Sequence, residues 1–342
     1  MPLDAIDEAL LNMAQGNFPL KARPFRALGE AHGLSEKDCI ARFQAMREGG
    51  LIRYFGPVIA TKALGFQSSL CAFKVPPERI EAAAETVSSH PGVSHNYERE
   101  NAFNLWFTLA VPPDLNLERD FEILRDRAQA ESALLLPALQ TFKIRMVLNV
   151  SESKHSSPKE PDQSDKSDTP SPEHSPLTST EKALLARIEP GLDFVARPFA
   201  EAAAAVNRDE ADVLAILSSL IDRGILRRLG VLLHHRRAGF QHNEMTAWQA
   251  PPDAIVEWGR ALAAMERVSH CYERPAHPEW PYNLYAMIHA HSPEEFQQIL
   301  DDARAKLDCP TEPQRLRSIR EFKKQRLQYF TDAYYKWNRP TE

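Results

Sequence analysis

Cysteine is scarce in this chain: Cys39, Cys71, Cys271 and Cys309 are the only four in 342 residues, and none stands in CxxC spacing. That argues against a disulfide framework and a clustered zinc site, and it suits a reducing compartment. Apolar runs of membrane-spanning length are also missing. The first residues, Met1-Pro2-Leu3-Asp4, open into a helical pattern with no basic stretch followed by an apolar one. No secretory leader is therefore expected, and the cytoplasm is the expected location. Excess positive charge is absent as well, since the formal net charge is −6. Such a chain is a poor general binder of nucleic-acid phosphates, although a local basic patch stays compatible with it. What is present, 43% hydrophobic and 26% charged residues, can fold into two or more domains with proper cores.

Periodicity divides the first half in two. Residues 3–48 predict three short amphipathic helices: Ile6, Leu10 and Leu11 recur at helical spacing, Pro24 enters the second, and Ser35 offers an N-cap to the third. The segment 51–59 predicts a β-wing, which completes the outline of a winged helix-turn-helix. Beyond residue 66 the pattern predicts a strand at 70–75, a helix at 77–89, strands at 93–99 and 104–111, a helix at 117–130 and a last strand at 139–147. This β-α-β-β-α-β order is the ferredoxin-like arrangement.

Residues 151–180 differ in kind, with nine serines and five prolines and Leu177 as the one large aliphatic residue. They predict a flexible linker. After it the programme repeats. Ile225-Leu226-Arg227-Arg228-Leu229-Gly230 answers Leu51-Ile52-Arg53-Tyr54-Phe55-Gly56, and Gly239-Phe240-Gln241 answers Gly65-Phe66-Gln67. A duplication of about 150 residues is too long for a solenoid repeat and fits a fused pair of homologous subunits. The expected fold class is thus α+β, a duplicated unit of winged helix-turn-helix plus ferredoxin-like domain. The expected divisions are 1–62, 63–150, the linker 151–180, 181–237, 238–330 and an aromatic-rich tail at 331–342 with no assigned place.

The most informative stretch occurs twice: Val93-Ser94-His95-Asn96-Tyr97-Glu98-Arg99 and Val268-Ser269-His270-Cys271-Tyr272-Glu273-Arg274. On a strand, His95, Tyr97 and Arg99 share one face, as do His270, Tyr272 and Arg274. A proton donor, a phenol and a fixed cation side by side suit an acidic ligand. The bland alternative is a solvent-facing polar row on an antiparallel sheet. Two further features favour a ligand: Asn104 and Asn283 stand beside large aromatics (Trp106; Tyr282, Tyr285), and both wings carry arginine (Arg53; Arg227, Arg228). Aromatic surface with several cations fits a large, flat polyanion. His234, His235, Arg236 and Arg237 follow the second wing where the first half has Ala60-Thr61-Lys62-Ala63, so the halves are not equivalent. No metal-type spacing supports His242, His289 or His291 as ligands, and Cys271, which replaces Asn96, is not a shared nucleophile.

Helix-turn-helix plus ferredoxin-like domain, in duplicate, resembles the Lrp/AsnC regulators. The motifs Pro91-Gly92-Val93-Ser94-His95-Asn96-Tyr97 with Phe103-Asn104-Leu105-Trp106, and Ser269-His270-Cys271-Tyr272-Glu273-Arg274 with Trp280-Pro281-Tyr282-Asn283-Leu284-Tyr285, resemble more closely the two subunits of the siroheme decarboxylase family, here in the fused NirDL-type form. The resemblance covers nearly the whole chain apart from the linker and tail. It implies conversion of siroheme to 12,18-didecarboxysiroheme in heme d1 or alternative heme formation. No cofactor is implied, because the iron belongs to the substrate. It also implies that His95 and His270 act as acid or orienting groups, with Arg53 and Arg227 among the catalytic residues. Tyr97, Arg99, Tyr272 and Arg274, with Arg228 and His235, would contact carboxylates, and Asn104, Trp106, Tyr282, Asn283 and Tyr285 would line the pocket. A histidine ligating the siroheme iron remains an alternative. The implied partners are siroheme, its products and the other half of the chain, with room for a homodimer and none for a membrane.

The competing class is a heme- or siroheme-responsive transcriptional regulator. The segment 209–222, which would be the second recognition helix, holds Asp209, Glu210, Asp212 and Asp222 and neither lysine nor arginine. A helix entering the major groove needs cations or amides. DNA binding is therefore disfavoured. A carrier that binds a tetrapyrrole without turnover is the third reading.

Overall fold

The computed structural model describes residues 3–16, 18–144, 176–233 and 242–337. Most of the expected linker, and His234, His235, Arg236 and Arg237, lie outside the described residues. In the first half the elements are α1 (Ala5–Gly16), α2 (Pro24–Ala31), α3 (Glu36–Glu48), β1 (Ile52–Ile59), β2 (Gln67–Lys74), α4 (Ile80–Ser89), β3 (Val93–Arg99), β4 (Leu105–Val111), α5 (Leu117–Ala128), β5 (Ser132–Pro137) and β6 (Gln140–Ile144). The second half adds α6 (Ser179–Ile188), α7 (Ala200–Ala205), α8 (Glu210–Asp222), β7 (Leu226–Leu233), β8 (His242–Trp248), α9 (Ile255–Ala263), β9 (Val268–Glu273), β10 (Leu284–Ala290) and α10 (Pro293–Lys306). β11 (Gln314–Leu316), β12 (Ser318–Lys324) and α11 (Ala333–Trp337) complete it. These elements form two compact units.

One unit comprises Met1–Gly65, Val147–Ala238 and Tyr329–Thr331 and holds both helical trios. Local chemistry starts the helices where the sequence predicts. Ser35 caps α3 by accepting the Asp38 N–H, Asp209 caps α8 through Asp212, and Thr178 and Glu181 form a reciprocal capping box on α6. Among the described residues the two wings pair with each other. β1 pairs antiparallel with β7, placing Phe55 opposite Val231 and Gly56 opposite Gly230. Gly230 is required by close packing, since a Cβ there would lie 2.2 Å from the Ala14 carbonyl oxygen. Beneath the ribbon the Phe194 ring stacks on Phe55 at 4.9 Å and on Phe43 at 5.4 Å. The arginines of α3 are taken by acids: Arg42 bonds Asp4 and Asp7 at 2.8 and 2.7 Å, and Arg47 reaches Asp193 at 3.3 Å. On α8, Glu210 is buried and held by Arg197 at 2.6 and 2.8 Å.

The other unit, Phe66–Met146 with Gly239–Gln328 and Asp332–Glu342, holds two five-stranded antiparallel sheets. Their orders are β12-β3-β4-β2-β5 and β11-β8-β10-β9-β6. The two terminal strands are exchanged. The strand expected at 139–147 is not the one that closes the first sheet; Ser132–Pro137 is, and β6 crosses to pair with β9 of the second half. Likewise the last stretch of the second half supplies two strands, with β11 staying in its own sheet and β12 pairing with β3 of the first half. Pro137, which has no N–H to offer a ladder, marks the first break. Each exchanged strand carries a lysine that binds carbonyls at or just beyond the end of a helix. Lys323 reaches Ser88 and His90, and Lys143 reaches Met265. α4 and α5 cover one face of the first sheet over Phe73, Val87, Leu105 and Phe107, and α9 and α10 cover the second over Leu262, Ile288, Phe296 and Leu300. The helix-free faces meet in a buried seam of Ala72, Phe103, Trp106 and Leu136 against Ala247, Trp280, Tyr285 and Leu316. The tail is placed by Tyr334, buried beside Phe66 and His90.

Candidate functional site

The repeated motif folds twice in the same way. A register shift in β3 between Val93 and His95, and in β9 opposite Met287 and Ile288, turns the strand so that Asn96 and Cys271 point to the helices. Asn96 donates to the Ala84 carbonyl at 3.1 Å, and the Cys271 thiol to Gly259 at 3.6 Å. The alternating residues therefore share the helix-free face. His95 lies 6.1 Å from Tyr97, ring centre to ring centre, and the Arg99 guanidinium sits 5.4 Å over that phenol ring. In the second half His270 and Tyr272 are again 6.1 Å apart, with Arg274 5.0 Å over Tyr272 and 5.6 Å over Tyr285. The structure thus brings together both trios that the sequence places on one face.

Both arginines are largely buried. Desolvation pulls Arg99 down to about 10 and lowers Arg274 as well. Arg99 donates Nη1 to the Leu316 carbonyl, and Arg274 donates Nη1 to that of Leu136. Nε of each is buried without a hydrogen-bond partner. Glu244, whose charge reaches Arg99, is held by Arg315 through two bonds of 2.7 and 2.9 Å. A desolvated guanidinium with a donor to spare gains from an added carboxylate.

Each histidine is anchored through Nδ1 to the serine before it, at 2.9 Å for Ser94–His95 and 2.7 Å for Ser269–His270. Ser94 continues to the Thr108 hydroxyl at 2.7 Å. Ser269 continues instead to His289 Nε2 at 2.5 Å, whose Nδ1 meets Asn243 Oδ1 at 2.6 Å. Ser94, Thr108, Ser269 and Asn243 were not among the expected site residues, and His289 had been set aside for want of metal-type spacing. The serines stand beside the histidine in both motif copies, which is the only signal the sequence offered.

Several other expected residues have different work. Asn104 does not offer its amide to a pocket: it bonds the Val75 N–H and C=O at 3.0 and 2.8 Å. Asn283 does the same for Ala250, at 2.8 Å each. Trp106 and Tyr285 are fully buried in the seam; the Trp106 indole donates to the Phe103 carbonyl, and Tyr285 accepts from Trp280 Nε1 at 2.7 Å. Burial also pushes the Tyr285 phenol well above its ordinary value. Tyr282 packs against Trp280 at 4.7 Å. Arg53, Arg227 and Arg228 belong to the β1–β7 ribbon of the other unit, with Arg53 and Arg227 exposed and Arg228 held below its ordinary value, first by burial and then by Arg227. His235 lies outside the described residues.

This twice-built arrangement has counterparts among known proteins. A family of AsnC-like ligand-binding domains matches residues 63–143 and 237–323, and the siroheme decarboxylase NirDL-like HTH domain matches 7–53 and 181–227. Over 331 residues the chain is 36% identical to a siroheme decarboxylase of Hydrogenobacter thermophilus, with 96% of each chain covered. The chain belongs to the siroheme decarboxylase family. It is 39% identical over 155 residues to the siroheme decarboxylase beta subunit of Oleidesulfovibrio alaskensis, covering 45% of this chain and 98% of that protein. A subunit-sized relative thus accounts for about one half, as expected of a fusion. Among solved structures, the siroheme decarboxylase NirDL in complex with an iron-uroporphyrin III analogue superposes with a TM-score of 0.76 at 32% identity, covering 98% of this chain and 97% of that one.

Proposed function

We propose that this protein removes carbon dioxide from two acetate side chains of siroheme, at C12 and C18, giving 12,18-didecarboxysiroheme for heme d1 or an alternative heme. The observation that carries the proposal is the duplicated face on which a serine-anchored histidine stands beside a tyrosine and a desolvated arginine. The chemistry follows from those groups. Cleavage of the bond between the acetate methylene and its carboxylate releases CO₂ and leaves an electron pair on that carbon, which the macrocycle delocalises. A proton from His95 or His270 then converts the methylene to a methyl group, and an imidazole suits this near neutral pH. Arg99 and Arg274 hold substrate carboxylates with the donors not spent on backbone. The iron arrives with the substrate, and no separate cofactor is needed. The roles of Arg53, Arg227 and Arg228 rest on family resemblance.

A DNA-reading function has little support. α8 carries no lysine or arginine, and the arginines of α3 are spent on Asp4, Asp7 and Asp193.

Anaerobic incubation of the purified protein with siroheme, followed by mass spectrometry of the tetrapyrrole, tests the reading. Two successive losses of CO₂ are expected, with His95→Ala or His270→Ala slowing or abolishing at least one. Siroheme recovered bound but unchanged would leave a carrier or sensor instead.

A further inference from the structure

The two histidine faces differ in what lies behind the serine. Strand register makes the comparison direct: Tyr285 faces Tyr272 as Trp106 faces Tyr97, so His289 stands where the first half has Ala110. Across the next strand, His289 faces Asn243 where Ala110 faces Ser68. The substitution pair Ala110/Ser68 to His289/Asn243 lengthens the hydrogen-bond chain behind one histidine alone.

The added members also give the chain a direction. Asn243 presents Oδ1, which only accepts, so His289 Nδ1 donates to it at 2.6 Å. In the neutral ring, His289 Nε2 then accepts from the Ser269 hydroxyl at 2.5 Å. With its proton committed, Ser269 Oγ accepts from His270 Nδ1–H at 2.7 Å. His270 is thereby held in the Nδ1–H tautomer, with its lone pair on Nε2. In the first half the chain ends on the Thr108 hydroxyl, 2.7 Å from Ser94, and two hydroxyls can run it in either sense.

We propose that His289 and Asn243 are positioning residues that act through Ser269 to fix the tautomer of His270, and that the second face is thereby a pre-set proton carrier while the first is not. This rests on the reading of His270 as the proton donor to the decarboxylated carbon. On that reading, Nε2 first takes a proton from solvent, and the resulting imidazolium, still donating Nδ1–H to Ser269, passes the Nε2 proton to the decarboxylated carbon and returns to the Nδ1–H tautomer. One decarboxylation therefore depends on His289 and the other does not.

The test uses the full-length protein with ¹⁵N-labelled histidine. Long-range ¹H–¹⁵N correlation reports the tautomer of each of the 12 histidines, and the His270 signals are those lost in His270→Ala. The wild type is expected to show His270 as Nδ1–H. His289→Ala is expected to convert it to a mixture and to slow one of the two CO₂ losses on the order of 10-fold, with KM for siroheme little changed. His289→Gln, whose Nε2–H can donate to Asn243 while its Oε1 accepts from Ser269, is expected to restore both the tautomer and the rate. An unchanged His270 tautomer in His289→Ala would overturn the proposal, as would an altered tautomer with both CO₂ losses at wild-type rate. If His270→Ala itself decarboxylates normally, the proton-donor reading fails and takes this inference with it. Loss of activity in His270→Ala but not in His289→Ala sinks the inference alone.

Discussion

Arg274 donates Nη1 to the carbonyl oxygen of Leu136 at 2.5 Å, so a residue of the second half's motif pins the closing strand of the first half's sheet. Arg99 mirrors the contact on Leu316 of β11. The proposed carboxylate clamp is therefore also a structural bolt between exchanged halves. Truncating Arg274 to Ala leaves the Leu136 carbonyl without its charged donor, and the expected cost is about 2 kcal/mol of stability. Arg274→Lys keeps the charge but not the planar fork. It should recover much of the thermal stability while leaving KM for siroheme raised. Melting temperature and KM measured on both variants separate the two roles; equal loss of both quantities in each variant would contradict the dual assignment.

The amide brackets give a second prediction. Asn104 and Asn283 each replace a ladder partner for one residue just past the end of β2 or β8, satisfying N–H and C=O of Val75 and Ala250 together. Asn104→Ala should destabilise by roughly 1–3 kcal/mol, since a partly buried N–H and C=O lose their partners at once. Asn104→Asp keeps the acceptor for the Val75 N–H but sets a carboxylate against the Val75 carbonyl, so it should also destabilise. Denaturant unfolding checks both. If stability is intact and only substrate binding weakens, Asn104 lines the pocket after all.

The duplication, the domain types and the His-Tyr-Arg faces were legible because each rests on a short-range pattern. Period-2 alternation sets His95, Tyr97 and Arg99 on one side whatever they touch. The strand exchange was not legible, because Ala133, Leu134, Leu135 and Leu136 are all apolar, in a strand with α4 and α5 on one face and the seam on the other. Such a run shows no period and reads as no particular element, whereas Gln140–Ile144 at the sheet edge alternates plainly. The backbone bonds of Asn104 and Trp106 were not legible for a related reason. A polar or amphipathic residue near a motif looks like a ligand contact until its hydrogen bonds are seen, and those bonds go to backbone distant in sequence. Sequence also could not show that the two wings pair with each other, because that ladder joins strands from the two halves of the chain.

A third prediction concerns pH. His90 is fully buried, with Nδ1 accepting the Gly92 N–H at 2.9 Å and Nε2 3.2 Å from Asp120, while Trp337 of α11 lies edge-on at 4.2 Å. Burial holds the imidazole below its ordinary value, with Asp120 opposing. The unfolded chain, where histidine titrates near about 6.5, therefore binds more protons than the folded one as pH falls through that value. Stability rises with pH where the unfolded state binds more protons. The contribution from His90 is thus complete above the unfolded value and is lost as pH drops below it. Thermal melts between pH 7.5 and 5.5 should show the loss, with His90→Gln flattening part of the slope; a melting temperature that rises on acidification would refute the assignment.

The cysteines supply the last prediction. Cys271 takes the place of Asn96, and both reach a carbonyl of the covering helix, Gly259 and Ala84 respectively. Their role is to hold helix to sheet, and burial makes the thiol a poor nucleophile. It pushes Cys271 up to about 12 and Cys39 up to about 11, and raises Cys71 as well. At pH 7.5 a thiol at that lower value is ionised in roughly one molecule in 3,000. Iodoacetamide should therefore leave Cys39, Cys71 and Cys271 unmodified in the folded protein and leave CO₂ release unchanged. The same reagent in denaturant should alkylate all three. Cys271→Ser should keep its activity with a modest fall in melting temperature, because the hydroxyl still reaches toward Gly259 but fills less of the space under α9. Rapid labelling of Cys271 in the folded state, or lost turnover in Cys271→Ser at full stability, would place the thiol in the chemistry rather than beneath it.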